Sequence, residues 1–403
     1  MSLSRREFLV SSAVLAGAGL PGVFRRAALA APKPDQPGGG ETILVVVQLT
    51  GGNDGLNTVV PFRDPAYAAA RPTLKQPPSQ VKKINDDLAF HPAMQGLSEL
   101  LESSQLAIVQ GIGYTDPNRS HFVSMDIWHK ATPSKEEPYG WLGRARSPLG
   151  GAGRLMHVGE GEGPLALFGP TGHAPSLSSL EQYQLRVGPG GEEKRSLIHH
   201  LAETNTASGN ELLALVRQST QETYASAERL SRVAGNYQPT ASYPQTRLAE
   251  RLKLVAQLID ADVPERIYYT THDGFDTHAS QAETHARLLG ELSDALAAFQ
   301  KDVAGHGHAK RVLVLTFSEF GRRVDENGSQ GTDHGAASQM FLIGERVKPG
   351  PIGEHPSLTD LGEGDLKHHT DFRSVYATVL DDWLGVSSEA VLGQRYPRLE
   401  LLA

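Results

Sequence analysis

The sequence predicts an α/β fold built on a largely parallel central sheet. Residues 42–49 form a continuous apolar run rich in β-branched side chains, which is typical of a strand buried on both faces. Residues 311–317 form a second run of the same kind. Strand patterns alternate with helix patterns along the chain, and this alternation indicates a sheet flanked by helices.

The predicted elements follow one another in a regular order. Short apolar runs predict strands at residues 42–49, 106–111, 266–271, 311–317 and 339–343. Longer periodic stretches predict a helix that opens near Ser120 and further helices at residues 92–103, 279–303 and 372–384. In folds of this class, the active loops lie at the carboxyl ends of the strands.

The N-terminus has the features of a twin-arginine export signal. Arg5 and Arg6 precede a weakly apolar run over residues 10–20 and then small residues up to Ala30. The apolar run is shorter than the roughly 20 residues that span a bilayer, so we expect cleavage and no permanent membrane anchor. The expected product is periplasmic or secreted, with the twin-arginine translocase as its partner during export.

The rest of the chain is predicted to form one domain. The expected units are a signal peptide at residues 1–30, a Pro- and Gly-rich linker at 31–40 and a single domain at 41–403. An insertion is predicted at about 132–235, because residues 132–189 are rich in Gly, Pro and Ser and residues 196–234 have the pattern of a long polar helix. Such a segment either shapes a substrate pocket or elaborates the surface.

Composition excludes several functional classes. The 403 residues include no cysteine, which excludes disulfides, thiolate zinc sites and cysteine nucleophiles. The formal net charge is -8 and the sequence has no polybasic stripe, so nucleic acid is not expected as a partner. A hydrophobic content of 39% suits a large core.

One candidate residue follows each of the first two predicted strands. Asp54 lies in a glycine-rich turn, where it is a candidate metal ligand, although Asn-Asp-Gly also suits an ordinary Asx turn. Ser120 lies at the start of a helix pattern. A serine at such a position suits a nucleophile that binds an anionic group, but serine is also a common N-cap.

The densest group of polar residues follows the predicted strand at 266–271. His272, Asp273, Asp276 and His278 lie close together in sequence. Imidazole and carboxylate groups together suit zinc or a similar divalent ion. The alternative is a solvated charged loop.

The third group follows the predicted strand at 311–317 and is the most specific. Asp333 and His334 lie between glycines, so that a carboxylate and an imidazole can bind one or two metal ions. Arg322 and Arg323 precede them, and one of the two, with Arg322 as the first choice, is a candidate for clamping a tetrahedral anion. Two arginines are equally compatible with an ordinary surface loop.

Two histidines precede the last predicted helix. Either His368 or His369 is a candidate for completing a metal site, and the sequence does not choose between them. Asp371, which follows them, is a candidate N-cap of that helix.

Taken in order, these motifs resemble the alkaline phosphatase superfamily. An Asp after the first strand, a Ser at a helix start, an Asp/His loop, an Asp-His-Gly and a late His match its order of ligands and nucleophile. More closely, the motifs at residues 51–57, 119–122, 274–278, 318–322 and 331–335 resemble the twin-arginine-exported family catalogued as domain of unknown function 1501. The resemblance implies an alkaline phosphatase-like three-layer sandwich.

The resemblance also implies two divalent metal ions, zinc first and Mn, Mg or Ca as alternatives. One ion would be surrounded by Asp54, Ser120, Asp333 and His334. The other would be held by Asp276, His278 and either His368 or His369. The superfamily usually spaces the Asp and His of its second site four residues apart, so His272 or Asp273 is an alternative ligand.

The implied activity is that of a metal-dependent hydrolase of phosphate or sulfate esters, with Ser120 as a metal-activated nucleophile. Its substrate would be a small-molecule or glycan-linked ester. A formylglycine sulfatase is disfavoured, because the chain has no cysteine and Ser120 lacks the Pro and Arg that follow the modified residue in most sulfatases. The alternative class is a non-catalytic, metal-stabilised envelope protein that binds a glycan or a protein partner.

Overall fold

The computed structural model describes residues 41–151, 154–170, 172–180 and 237–403. The predicted signal peptide, the linker and the predicted polar helix at 196–234 lie outside these residues. Within them, no helix has the length and apolar character that crossing a membrane requires.

The described residues form fourteen strands, nine of which belong to the central sheet. In chain order they are β1 (Ile43–Thr50), β2 (Val59–Val60), β3 (Lys82–Lys83), β4 (Ala89–Phe90), β5 (Leu106–Gly113), β6 (Leu155–Val158), β7 (Ser176–Leu177), β8 (Ile267–Asp273), β9 (Val312–Ser318), β10 (Ser338–Ile343), β11 (Gly350–Ile352), β12 (Leu361–Gly362), β13 (Asp365–Leu366) and β14 (Thr370–Asp371). Strands β2, β3 and β4 form a small separate sheet, and β12 pairs with β13.

The central sheet is parallel except for one strand. Its order is β11-β5-β10-β9-β1-β8-β6-β7, and β14 pairs with the end of β5. Strand β10 runs antiparallel to both β5 and β9, whereas the other pairings are parallel. The prediction of a largely parallel central sheet is confirmed.

Helices lie on both faces of this sheet. They are α1 (Gly55–Thr58), α2 (Pro65–Ala70), α3 (Gln95–Glu102), α4 (His121–Lys130), α5 (Trp141–Ala145), α6 (Arg247–Asp260), α7 (Gln281–Gly305), α8 (Phe372–Thr378) and α9 (Ser388–Leu392). Short 3-10 turns lie at Leu165–Leu167 and Ala309–Arg311, and a π-helical turn at Val379–Leu384 continues α8.

The two main hydrophobic cores lie on opposite faces of β1. Val45 and Val47 belong to the core that contains side chains of α3, α6 and α7, whereas Leu44 and Val46 belong to the core with α4, α5 and α8. Successive side chains of a strand point to opposite faces, so a strand covered on both sides needs a continuous apolar run. The predicted layers of helices, sheet and helices are confirmed.

Within the described residues, the predicted strands and helices are present, with bounds shifted by a few residues. Helix α6 was not predicted, although its buried residues Leu248, Leu252, Val255 and Ile259 have helical spacing. Strands β6 and β7 fall within the segment predicted as an insertion, and they extend the central sheet beyond β8. Part of that segment is therefore built into the sheet.

Parallel strands end together at one edge of the sheet. Thr50 at the end of β1 lies beside Asp273 of β8, and Leu49 lies beside Ser318 at the end of β9. The loops that follow β1, β5, β8 and β9 contain most of the predicted site residues.

Candidate metal centre

The loops at this edge approach each other closely at glycines. A Cβ at Gly51, where φ is +119°, would lie 2.4 Å from the backbone nitrogen of Asp276. A Cβ at Gly331 would lie 2.2 Å from the carbonyl carbon of His278. Only glycine allows these approaches, which bring the loops after β1, β8 and β9 into contact.

Four side chains form a cluster that we call the histidine cluster: His121, Asp276, His278 and His334. Ligand atoms of His121, Asp276 and His334 lie within 4.8 Å of one another, which makes them the one group of this kind among the described residues. Nε2 of His278 lies 2.9 Å from Nε2 of His334 and 3.1 Å from Oδ1 of Asp276. Nε2 of His334 is 3.1 Å from the same oxygen, and Nε2 of His121 is 3.4 Å from Oδ2.

Each imidazole of the cluster is held at its Nδ1 by an oxygen acceptor. The acceptors are Glu319 for His121 at 2.9 Å, Asp333 for His278 at 3.2 Å, and the backbone carbonyl of Arg119 for His334 at 2.8 Å. Because carboxylates and carbonyls accept, each Nδ1 carries the proton and each neutral ring presents its Nε2 lone pair inward. Metal-binding histidines in proteins are oriented in this way.

The cluster fits a divalent metal ion. Two facing Nε2 lone pairs and a carboxylate repel one another unless a proton or a metal ion lies between them. Nε2 of His121 is buried and has no hydrogen-bond partner in the described part of the chain, a state that costs about 1–3 kcal/mol. Three neutral imidazoles and one carboxylate are a donor set that suits zinc.

Asp276 supplies the negative charge of the cluster. Partial burial would raise the pKa of Asp276, but the hydrogen bond from the Arg322 guanidinium outweighs this effect, and the pKa is lowered to about 2. The hydrogen bond to Glu319 raises the pKa of His121 above its ordinary value. An ionised carboxylate therefore lies among imidazoles at neutral pH and favours a cation there.

Arg322 lies buried next to Asp276. Its guanidinium donates to Oδ1 of Asp276 at 2.8 Å and to the backbone carbonyls of Gly52, Phe275 and Thr332. These acceptors belong to the loops after β1, β8 and β9. To clamp an anion, as predicted, Arg322 would need N–H groups that face the substrate. In the structure, these N–H groups donate to acceptors of the protein and join the three loops.

Asp54 lies outside the histidine cluster. It is buried, and its Oδ2 accepts hydrogen bonds from Arg71 at 2.6 Å and from Gln281 at 2.5 Å. Burial would raise the pKa of Asp54, but the Arg71 guanidinium more than offsets this effect and lowers it to about 2. Asp54 is therefore an ionised carboxylate that is paired within the protein.

His272 also lies outside the cluster. It is buried, its Nε2 lies 3.0 Å from the carbonyl of Leu288 in α7, and its ring packs edge-on against Phe275. Burial lowers its pKa. Of the alternatives at residues 272–278, the structure brings Asp276 and His278 into the cluster, whereas His272 and Asp273 belong to β8 and His272 lies against α7.

His368 and His369 lie beside the end of β5. A Cβ at Gly111 would lie 2.1 Å from the ring of His369, and one at Gly113 would lie 2.7 Å from Cβ of His368. Nε2 of His369 lies 2.6 Å from the carbonyl of Glu354. Asp371 caps α8, as predicted, by accepting from the backbone of Arg373.

Ser120 lies at the border of the cluster, between Arg119, whose carbonyl holds His334, and His121. It is the N-cap residue of α4, but its side chain makes no cap hydrogen bond, and the residue is exposed. An exposed hydroxyl that is not used by the helix therefore lies next to the candidate metal ligands.

His121 and its partner Glu319 were not predicted as site residues. His121 is the first residue of α4, after the loop that follows β5. The available signal was its place directly after the candidate nucleophile, where the loop at the carboxyl end of a predicted parallel strand ends. Glu319 directly follows β9, at the same edge of the sheet.

The fold and the cluster define an α/β protein with a candidate metal centre at the carboxyl edge of its parallel strands. The chain belongs to the family described as Protein of unknown function (DUF1501), whose model matches residues 41–393. This match confirms the family predicted from the motifs. No curated protein matches the chain.

Several solved structures are similar at low sequence identity. A sulfatase from Pseudoalteromonas sp. is 12% identical, with a TM-score of 0.43, over 90% of this chain and 71% of that one. A protein in the alkaline phosphatase superfamily from Vibrio parahaemolyticus is 10% identical, with a TM-score of 0.42, over 93% of this chain and 77% of that one. The lipoteichoic acid synthase LtaP from Listeria monocytogenes is 10% identical, with a TM-score of 0.39, over 91% of this chain and 80% of that one. These similarities assign no activity to this chain.

Proposed function

We propose that this protein is a metal-dependent hydrolase of phosphate or sulfate esters. The observation that carries the proposal is the convergence of three imidazole Nε2 atoms around the Asp276 carboxylate. When bound there, a divalent ion supplies Lewis-acid charge to the ester oxygens and to a hydroxyl nucleophile. Zinc is the proposed ion because the donor set is rich in imidazole.

Ser120 is the proposed nucleophile. Its hydroxyl is exposed beside His121, and the N-terminal end of the ten-residue helix α4 favours a negatively charged group at this position. Attack of Oγ on the phosphorus or sulfur atom would displace the alcohol of the ester. Water would then release the acid from Ser120.

The surrounding residues hold the cluster in position for this reaction. Glu319 and Asp333 fix the rings of His121 and His278, and Arg322 fixes Asp276. Such fixed groups need little reorganisation when a substrate binds.

Export in a folded state by the twin-arginine pathway is proposed from the N-terminal signal, which lies outside the described residues.

A metal-stabilised binding protein is the second candidate, and one observation favours it. Arg322, predicted to clamp the anion of an ester, is buried and donates to acceptors of the protein itself. A protein of this kind would need the metal ligands but not Ser120.

The test compares Ser120→Ala with Ser103→Ala, which changes an exposed serine at the end of α3. Phosphate monoesters, phosphate diesters, sulfate esters and phosphonates are assayed, and the metal content of each sample is measured. We expect Ser120→Ala to lose several orders of magnitude in kcat while it keeps its metal, and Ser103→Ala to match the wild type. Unchanged turnover by Ser120→Ala would reject the nucleophile. Bound metal without turnover of any ester by the wild type would favour the binding protein.

A further inference from the structure

The carboxylate of Asp54 is fully used by donors of the protein. Its Oδ2 accepts from Nη1 of Arg71 at 2.6 Å and from Nε2 of Gln281 at 2.5 Å. Its Oδ1 accepts from Nη2 of Arg71 at 3.2 Å and from the backbone N–H of Asn57 at 3.4 Å. To bind a metal ion, Asp54 would have to give up at least one of these hydrogen bonds.

Arg71 is a buried cation that is fixed in place. Its Nε donates to the carbonyl of Val324 at 2.6 Å, and Nη2 donates to the carbonyl of Arg323 at 2.8 Å. Two-pronged pairing of a guanidinium with a carboxylate is among the strongest arrangements of hydrogen bonds. Because an unpaired buried charge is costly, each member of the pair depends on the other.

Two further histidines, His285 and His91, also form hydrogen bonds within the protein. Nε2 of His285 lies 2.9 Å from the amide oxygen of Asn53, and because that oxygen accepts, this Nε2 carries a proton. Nδ1 of His91 accepts from the backbone N–H of Ala93. Among the described residues, the histidine cluster contains the one group of three ligands that could hold an ion.

From these contacts we infer that the protein binds a single divalent ion, at the histidine cluster, and that Arg71 supplies the positive charge at Asp54. This differs from the two ions predicted from the sequence, which included Asp54 as a ligand. The inference rests on the metal binding in the proposed function but not on its ester chemistry.

Asp54 acts on the cluster through Gln281. Oε1 of Gln281 accepts from the hydroxyls of Thr277 at 3.0 Å and Thr332 at 2.7 Å, while its Nε2 donates to Asp54. Thr277 and Thr332 lie in the two loops that carry three of the four cluster residues. Asp54 and Gln281 are therefore positioning residues that fix these loops relative to each other.

The number of bound ions tests the inference directly. The full chain is loaded with Zn²⁺ or Mn²⁺, freed of unbound metal and analysed for ions per chain, and we expect one. The Mn²⁺ sample should give the electron paramagnetic resonance spectrum of an isolated ion, because ions in two-metal sites lie about 3.5–4 Å apart and couple. Two ions per chain, or a coupled Mn²⁺ pair, would overturn the inference.

Two variants separate the buried pair from the cluster. Asp276→Asn should lose the ion. The double variant Asp54→Asn/Arg71→Gln removes both buried charges at once, and it should keep one ion per chain with an affinity about 10–100-fold lower, as expected for a change outside the ligands. Loss of the ion from the folded double variant would overturn the inference. If the double variant does not fold, the wild-type stoichiometry decides.

The outcomes distinguish this inference from the proposed function. One ion per chain without ester turnover would reject the hydrolase and leave the inference standing. Two ions with turnover would overturn the inference alone. A folded wild type that binds no ion would reject both.

Discussion

The histidine cluster and the Asp54–Arg71 pair belong to the same group of loops, but they differ in how far their polar groups are hydrogen-bonded within the protein. In the cluster, Nε2 atoms of His278 and His334 face each other at 2.9 Å, and Nε2 of His121 has no hydrogen-bond partner in the described part of the chain. In the pair, both oxygens of Asp54 accept from donors of the protein.

The comparison of the two aspartates shows what separates the candidate metal ligand from the paired carboxylate. The pKa of Asp54 and that of Asp276 are both lowered to about 2, so the two carboxylates are equally ionised near neutral pH. The side chain of Asp54 is 1% exposed and that of Asp276 is 47% exposed. Charge alone therefore does not identify a candidate ligand. Asp276 is a candidate because its ionised carboxylate is also partly exposed and lies among imidazoles with free lone pairs.

Removing an imidazole of the cluster should have the largest effect. We expect His334→Ala to lower the affinity for Zn²⁺ by on the order of 10³-fold or more, because changes outside the ligands already cost about 10–100-fold. Competition with a chelator measures this loss. The control is His308→Ala, which removes an imidazole that contacts Asp260 instead. Equal losses in the two variants would show that the cluster does not hold the ion.

Acid should weaken the Asp54–Arg71 pair. The pKa of Asp54 is about 2 in the folded protein, against about 3.9 in an unfolded chain. Its contribution to stability is present above the unfolded value and is lost as the pH falls through the folded value, a change of about 2–3 kcal/mol.

Urea unfolding at several pH values tests this expectation. The difference in free energy of unfolding between the wild type and Asp54→Asn should narrow from about pH 5 to about pH 2. A difference that stays constant over this range would contradict the ionised, paired state of Asp54.

Changing the partner of His121 should have a smaller effect. Glu319→Gln keeps the size of the side chain but replaces the carboxylate that holds Nδ1. We expect the affinity for Zn²⁺ to fall about 10–100-fold. Glu326→Gln is the control, since Glu326 accepts hydrogen bonds from Thr73 and Leu74 and does not contact the cluster. A similar affinity in both variants would argue against a positioning role of Glu319.

The smallest expected effect on affinity concerns Gln281, and the chain contains a matched control. Gln281 and Gln300 are both buried in α7, but the amide of Gln300 has no hydrogen-bond partner within the described residues. Gln281→Leu should lower the affinity for Zn²⁺ about tenfold and the free energy of unfolding by about 1–3 kcal/mol. Gln300→Leu should leave the affinity unchanged and should not lower stability. Equal affinities for Zn²⁺ would reject the positioning role of Gln281.

The sequence predicts those parts of the fold in which burial determines composition. Strands β1 and β9 are covered on both faces, so most of their residues are apolar and the sequence shows each as a short apolar run. Strands β6 and β7 have four and two residues, which is too short for a periodic pattern. They are defined by the pairing of β6 with β8 and of β7 with β6, and these pairings exist only in the folded chain.

The candidate site also has one part that the sequence predicts and one part that it does not. The sequence places Asp276, His278 and His334 in loops after predicted strands, so their proximity follows from the parallel sheet. The role of Asp54 depends on Arg71, which lies 17 positions away at the end of α2 and meets Asp54 only through tertiary packing. His121 was missed because its residue type alone does not separate a ligand from an ordinary helix residue.

The cluster is assembled from parts of the chain that are far apart in sequence. The contact between His334 and the carbonyl of Arg119 spans 215 positions, and the contact between His121 and Glu319 spans 198. Contacts of such long range carry a high loop-closure entropy and form only with the sheet that supports them. A compact intermediate that lacked β5 or β9 would lack part of the cluster, so retention of a bound ion would report that β5, β8 and β9 had come together.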